Sequence, residues 1–385
     1  MEAARVCNSL SLFSPSSSSS IRFQSSQLSL FPYLKKKKKN YNNPSSNLNL
    51  RWKSRSSLPI HERNLCVSSS ASHTIHEFSD STSQSAGSFF RSVLSSMEQV
   101  YLSRNPTAKS ILDLVHSCEG DQICYDHFAF RTFGVDGYGI DSMSKFFLDF
   151  GYMPRDELRF PAKKLKALWF TPPDTPQSGS GSGVYGPLPR IFISELIVDE
   201  MSSQAQEVIR KYTKISPSGN KYAALASALG SLTWEEPLYS DYRQLSRESE
   251  YAAWTLVNGF ALNHATISTH QLKSHMKNIN SLNNFIERNG FKLNSEGGAL
   301  KVSPDGLLLQ SSTVADSRFF QFADGVTESV PCSYIEFAER LVLPQFRNLP
   351  ADEIKEFHRR EGFEVGNADK IFESTSMDQL SRRAV

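Results

Sequence analysis

Apolar positions along this chain fall into two rhythms. Between residues 88 and 102, Phe89, Phe90, Val93, Leu94, Met97 and Val100 recur at helical spacing and predict a helix. Residues 125–132 (YDHFAFRT) and 262–269 (LNHATIST) read instead as strands, and a helical pattern follows each. Those helices end in FFLDFGY and FIERNGF, where Gly151 and Gly290 supply the stop. Two further strands, RIFISELIV and SYIEFAERL, come later. His127 and Gly151 are 24 residues apart, and His264 and Gly290 are 26 apart. Gly151 precedes Glu195 by 44 residues, and Gly290 precedes Glu336 by 46. The chain thus repeats one order: strand with histidine, helix, strands, strand with glutamate. On this alignment Glu195 is the first-module counterpart of Glu336.

Alternation along a strand assigns faces. His127, Ala129 and Arg131 share one side of the first strand, and Asp126, Phe128 and Phe130 the other. His264, Thr266 and Ser268 share a side in the second. In the late strand Tyr334, Glu336, Ala338 and Arg340 do so, against Ile335, Phe337 and Glu339. A lone strand histidine is most often structural. Here three strands each bring a small or polar face carrying one His or Glu, at corresponding points of a repeat. Burying such faces without partners costs several kcal/mol per group, roughly, and a metal resolves the conflict. Two histidines and a carboxylate form the facial triad of non-haem Fe(II) oxygenases. The metal ligands expected are His127, His264 and Glu336.

Composition changes the picture at the N-terminus. Residues 1–72 hold 20 serines, 11 Lys or Arg, and only Glu2 and Glu62 as acids. That is the make-up of an organelle transit peptide, with plastid favoured over mitochondrion because serine outweighs arginine. Beyond it the body carries 31 basic against 38 acidic residues, which argues against nucleic acid as a partner. No run of 18 apolar residues exists, so no membrane helix is expected. Cys118, Cys124 and Cys332 form no CxxC pair and predict neither a disulfide framework nor a zinc knuckle. The loop 172–189 (with SGSGSG) lacks the GK[ST] of a phosphate loop and reads as a mobile connection.

The segments YDHFAFRTFG, LPRIFISEL, NHATIS, YIEFAER and GFEVGNADKIFEST, in that order from about residue 89 to 375, resemble the 2-oxoadipate dioxygenase/decarboxylase family, also called 2-hydroxyglutarate synthase. With the leader, the chain is similar to its plant plastid members. The resemblance implies an α+β fold of the vicinal-oxygen-chelate type: βαβββ modules forming a curved central sheet around Fe(II), with flanking helices. It places metal ligands at His127 and His264 and a substrate-binding, catalytic arginine at Arg131. YIEFAER also resembles the last strand of 4-hydroxyphenylpyruvate dioxygenase, which supports Glu336 as the third ligand. The C-terminal FEST stretch borders the family's pocket and makes Ser374 a candidate substrate contact.

The implied reaction converts 2-oxoadipate and O2 to 2-hydroxyglutarate and CO2, as in lysine breakdown. Iron rather than manganese or zinc comes from the resemblance alone. The domain reading is a transit peptide at 1–72, a linker at 73–87, a catalytic domain at 88–375 and a flexible tail at 376–385. Within the domain, module one spans about 120–198, module two about 260–342, and a pocket segment 343–375. Partners expected are a 2-oxo diacid and O2; the oligomeric state is left open. The competing readings are another 2-oxo acid dioxygenase of the same fold, and a plastid binding or scaffold protein with a dead site. Arg131 favours a diacid over an aromatic substrate, and the intact triad argues against the scaffold.

Overall fold

The computed structural model describes residues 74–120, 123–173, 181–215 and 219–383. The stretch read as a transit peptide and residues 174–180 of the 172–189 loop lie outside these residues. Helices α1 (Thr74–Arg104) and α2 (Pro106–Glu119) come first. Module one is β1 (Tyr125–Phe133), α3 (Ile140–Asp149), β2 (Met153–Phe160), β3 (Leu165–Thr171) and β4 (Arg190–Leu196). Helices α4 (Ser203–Ile215), α5 (Gly219–Leu229), α6 (Tyr239–Glu248) and α7 (Glu250–Asn258) intervene. Module two is β5 (Leu262–Ser268), α8 (Ile279–Arg288), β6 (Lys301–Val302), β7 (Leu308–Ser312), the hairpin β8 (Ser317–Gln321) and β9 (Thr327–Pro331), and β10 (Tyr334–Arg340). A closing segment carries α9 (Val365–Ile371) and α10 (Met377–Arg383).

The repeat read from the sequence is a repeat in space. Eight strands form one curled sheet in the order β2-β3-β4-β1-β5-β10-β7-β6. The two halves mirror each other across the antiparallel β1–β5 pair, and each carries one inner parallel pair, β1–β4 or β5–β10. Gly151 and Gly290 both adopt positive φ (84° and 86°) just past their helices, a conformation that suits glycine. The α3 side of β1 buries Phe128 and Phe130, and Phe130 meets Phe147 of α3 at 5.9 Å.

Two ends differ from expectation. The first helix starts at Thr74, taking in most of the stretch read as a linker, because no proline interrupts residues 74–104. The end read as a flexible tail forms α10, since Leu380 packs beside Ile371 and Tyr334, and buried Gln379 accepts a hydrogen bond from the Ser295 amide. Among the described residues no disulfide forms; Cys124 and Cys332 are buried and Cys118 is exposed.

Candidate metal centre

His127 on β1, His264 on β5 and Glu336 on β10 converge on the concave side of the sheet, all buried, with one donor atom of each within 4.8 Å of the others. His264 Nε2 lies 3.1 Å from Glu336 Oε2 and 3.3 Å from His127 Nε2, and His127 Nε2 lies 3.7 Å from the same carboxylate oxygen. All three expected ligands meet.

What orients them was not read from the sequence. Strict alternation puts Asp126 opposite His127, but β1 is bulged. Tyr125 faces Ile267 and His127 faces Thr266, so Asp126 has no partner across β5. The reciprocal bulge sits on β5, where His264 and Leu262 face successive residues of β1 and Asn263 is the extra one. Each bulge turns the preceding residue back onto its histidine. His127 Nδ1 donates to Asp126 Oδ1 at 2.8 Å, and His264 Nδ1 donates to Asn263 Oδ1 at 3.0 Å. The sequence did carry the signal, an Asx immediately before the histidine in both repeats. With Nδ1 protonated, each Nε2 presents a lone pair. Two such lone pairs and a carboxylate oxygen crowded together call for a cation, so the donor set fits a divalent metal.

Electrostatics agree. Burial outweighs the attraction of Glu336 and, with smaller contributions from His127 and Arg131 beside it, lowers the His264 pKa to about 4, leaving a neutral imidazole at pH 7. Burial pushes Glu336 up, but the facing imidazoles and the Gln310 amide more than reverse it and keep the carboxylate ionised. Gln310 Nε2 donates to Glu336 Oε1 at 2.7 Å, and Asn367 on α9 donates to Gln310 Oε1 at 3.0 Å, so Oε2 is the oxygen left for a metal. Asp126 is likewise raised by burial and brought well below the usual carboxylate range by Arg340 and Arg190, 2.6 and 3.4 Å away.

Overlaying His127 on His264 through the parallel registers corrects the reading of Glu195. His127 faces Arg190 on β4, and His264 faces Tyr334 on β10. The position matching Glu336 is therefore Phe192, and Glu195 matches Glu339. Both of these glutamates accept from the first amide of their module helix: Ile140 N to Glu195 at 2.7 Å, and Ile279 N to Glu339 at 2.8 Å. Glu195 also pairs with Lys166 at 2.8 Å. It is a helix cap, and module one offers the centre a phenylalanine where module two offers a carboxylate.

Arg131 is buried against Tyr251 and Trp254 of α7, each ring centre 5.0 Å from the guanidinium carbon. It donates to Thr375 Oγ1 at 3.0 Å and to the Phe372 carbonyl at 3.3 Å, while its Nε has no partner. Ser374 does not join it. Its hydroxyl is taken up by Asn294 and Ser312, each at 2.9 Å, on the β7 side of the turn. The FEST sequence forms a single 3-10 turn, which carries Phe372 and Thr375 toward Arg131 and Ser374 away from it.

The closing segment straps this centre shut. Arg340 donates to the Gly362 carbonyl at 2.7 Å, and Arg190 pairs with Glu361 and Glu356 at 2.8 and 3.2 Å. Phe363 lies edge-on to His127 at 4.8 Å and packs on Phe192 at 4.9 Å. The histidine props are testable separately from the strap. Asn263→Ala should fold and bind divalent metal about 10–100-fold more weakly in an equilibrium titration. Asp126→Ala strips a buried carboxylate from two buried guanidiniums, and its main expected effect is a stability loss of about 3–5 kcal/mol.

Comparison with known proteins bears on the same residues. The family model described as 2-oxoadipate dioxygenase/decarboxylase matches residues 93–354. A 2-oxoadipate dioxygenase/decarboxylase of Oryza sativa subsp. japonica, named chloroplastic/amyloplastic, is 72% identical over 305 residues, covering 79% of this chain and 84% of that protein. A chloroplastic protein of the same name from Arabidopsis thaliana is 67% identical over 331 residues, covering 84% and 89%. The crystal structure of the Oryza sativa hydroxyglutarate synthase in complex with 2-oxoadipate superposes with a TM-score of 0.76 at 73% identity, covering 77% of this chain and 95% of that one.

Proposed function

Because the chain belongs to the 2-oxoadipate dioxygenase/decarboxylase family, we propose that it is the plastid enzyme that converts 2-oxoadipate and O2 to 2-hydroxyglutarate and CO2, with ferrous iron held by His127, His264 and Glu336. The observation that carries this reading is the pairing of a three-donor centre with a buried arginine four residues from its first ligand. Bound iron supplies O2 activation and a Lewis-acid anchor for the 2-oxo acid.

The chain's own groups do the rest. Asp126 and Asn263 hold the two imidazoles with Nε2 inward, and Gln310 holds Glu336 so that Oε2 is offered. Phe192 at the Glu336-related position withholds a fourth protein ligand, so a metal held by His127, His264 and Glu336 would have room for the 2-oxo acid and O2. Arg131 offers a bidentate fork to the far carboxylate, and Tyr251 and Trp254 fix its plane. Phe192, Phe363, Ile371 and Phe372 line the chamber and exclude water. The reaction balances without a second co-substrate. The carbon–carbon bond to the 1-carboxylate breaks and releases CO2. One atom of O2 enters the carboxylate formed at the former keto carbon, and the other becomes the new hydroxyl.

The test is O2 uptake by the Fe(II)-loaded protein given 2-oxoadipate, with 2-oxoglutarate as control. Uptake matched one to one by CO2 and 2-hydroxyglutarate is expected. Metal binding without uptake would keep the centre and discard the substrate.

A further inference from the structure

Two cavities flank the 3-10 turn Phe372–Thr375. One is the metal chamber, bounded by the three ligands, Gln310, Phe363 and Phe372, with a volume of about 20 Å³. That is about the room of one water, far less than a six-carbon diacid requires. The other is an antechamber of about 220 Å³ bounded by Arg131, Lys163, Tyr251, Glu250, Thr375 and Phe372. Among the described residues Phe372 alone lines both. Its ring stands edge-on to Phe160 at 5.1 Å and to Tyr251 at 6.3 Å, with the Arg131 guanidinium 5.7 Å away.

We propose that Phe372 is the partition that admits the substrate and sets its chain length: the ring turns aside, the two cavities join, and one diacid spans them from Arg131 to the metal. This rests on the function proposed above. The far wall of the chamber is a poor candidate for movement. Phe363 is packed on His127, Phe192 and Trp169, and its backbone neighbour Gly362 is tied to buried Arg340. On the Phe372 side the backbone of the turn is held by Ser374 and Arg131, while the ring itself makes only edge-on contacts and can turn on that fixed backbone. Lys163 clasps Asp369 at 3.0 Å and Glu373 at 2.8 Å, pairs that are about one-third exposed and therefore worth little. The antechamber's lysines are already spent on acids, Lys163 on this clasp and Lys164 on Glu248 at 3.3 Å. Arg131 alone of the three lining cations keeps a buried N–H without a partner, its Nε. An arriving carboxylate therefore goes to Arg131. As it does, it competes for the guanidinium N–H groups that now hold the Phe372 carbonyl and Thr375.

The experiment compares native enzyme, Phe372→Ala and Phe372→Leu on five-, six- and seven-carbon 2-oxo diacids. Each protein is Fe(II)-loaded, and metal content and melting temperature are recorded. Substrate association is followed anaerobically by stopped flow. Phe372→Ala should raise kcat/KM for the seven-carbon acid at least tenfold relative to the six-carbon acid and speed anaerobic association, with metal content unchanged. Phe372→Leu keeps the apolar contacts and should shift both in the same direction by less; it carries the test if the alanine protein does not fold. Lys163→Met should speed association without altering the chain-length order. An unchanged chain-length order and association rate in metal-replete Phe372 variants would overturn the partition. Failure of native enzyme to turn over the six-carbon acid would instead sink the underlying function, so the two failures are distinguishable.

Discussion

In Glu336→Ala, the expected result is a folded protein that no longer retains divalent metal after dialysis, with turnover down at least a thousandfold, about 4 kcal/mol. Two neutral imidazoles lack the negative charge that makes the centre hold a dication, and Phe192 at the related position cannot replace it. The metal-free protein should also lose some stability, because the contacts of the carboxylate with the imidazoles and Gln310 outweigh its burial and Gln310 loses its acceptor. Glu336→Gln keeps an acceptor for Gln310 and removes only the charge, so it should fail in the same way. Elemental analysis of the dialysed proteins is the measurement, and a metal content equal to the native protein's would remove Glu336 from the ligand set.

Arg131→Ala should show the opposite separation. Metal stays, and kcat/KM for 2-oxoadipate falls about 10²–10³-fold, the scale of losing one partner of a buried charge-assisted pair. Arg131→Lys should recover little of that, since an ammonium has no planar fork to lie against the Tyr251 and Trp254 rings. Arg131 also holds the Phe372–Thr375 turn, so melting curves belong beside the kinetics. Native kinetics in Arg131→Ala would show that the diacid's far carboxylate is bound elsewhere.

The cluster of His127, His264 and Glu336 was legible because strand alternation is rigid and the module repeats, so the two matched histidines and the carboxylate of the late strand carry more together than any one alone. The place of Arg131 on the His127 side followed from the same alternation, and the role expected of it from the family resemblance. Glu195 went wrong for a related reason: aligning the modules on their carboxylates slips them by three residues, and only strand register exposes the slip. Asp126 was assigned to the wrong side because a bulge breaks the period on which face assignment depends. Gln310 and Asn367 gave no signal, since one sits on a short strand and the other on a short helix, and their chemistry exists only through a contact 57 residues apart in sequence. Ser374 was placed on the correct turn but on its wrong side, which a 3-10 turn of four residues decides and composition does not.

The strap has a consequence for the order of events in a newly made chain. Residues 127, 264 and 336 all leave the ribosome before residues 356–376, which supply Phe363, Asn367 and Phe372. During synthesis, and again during any stepwise refolding from the N-terminal side, the three donors can assemble under a face that is still uncovered. A divalent metal ion meets an uncovered centre in that interval and a covered one afterwards, so loading should be faster during folding than into the finished protein.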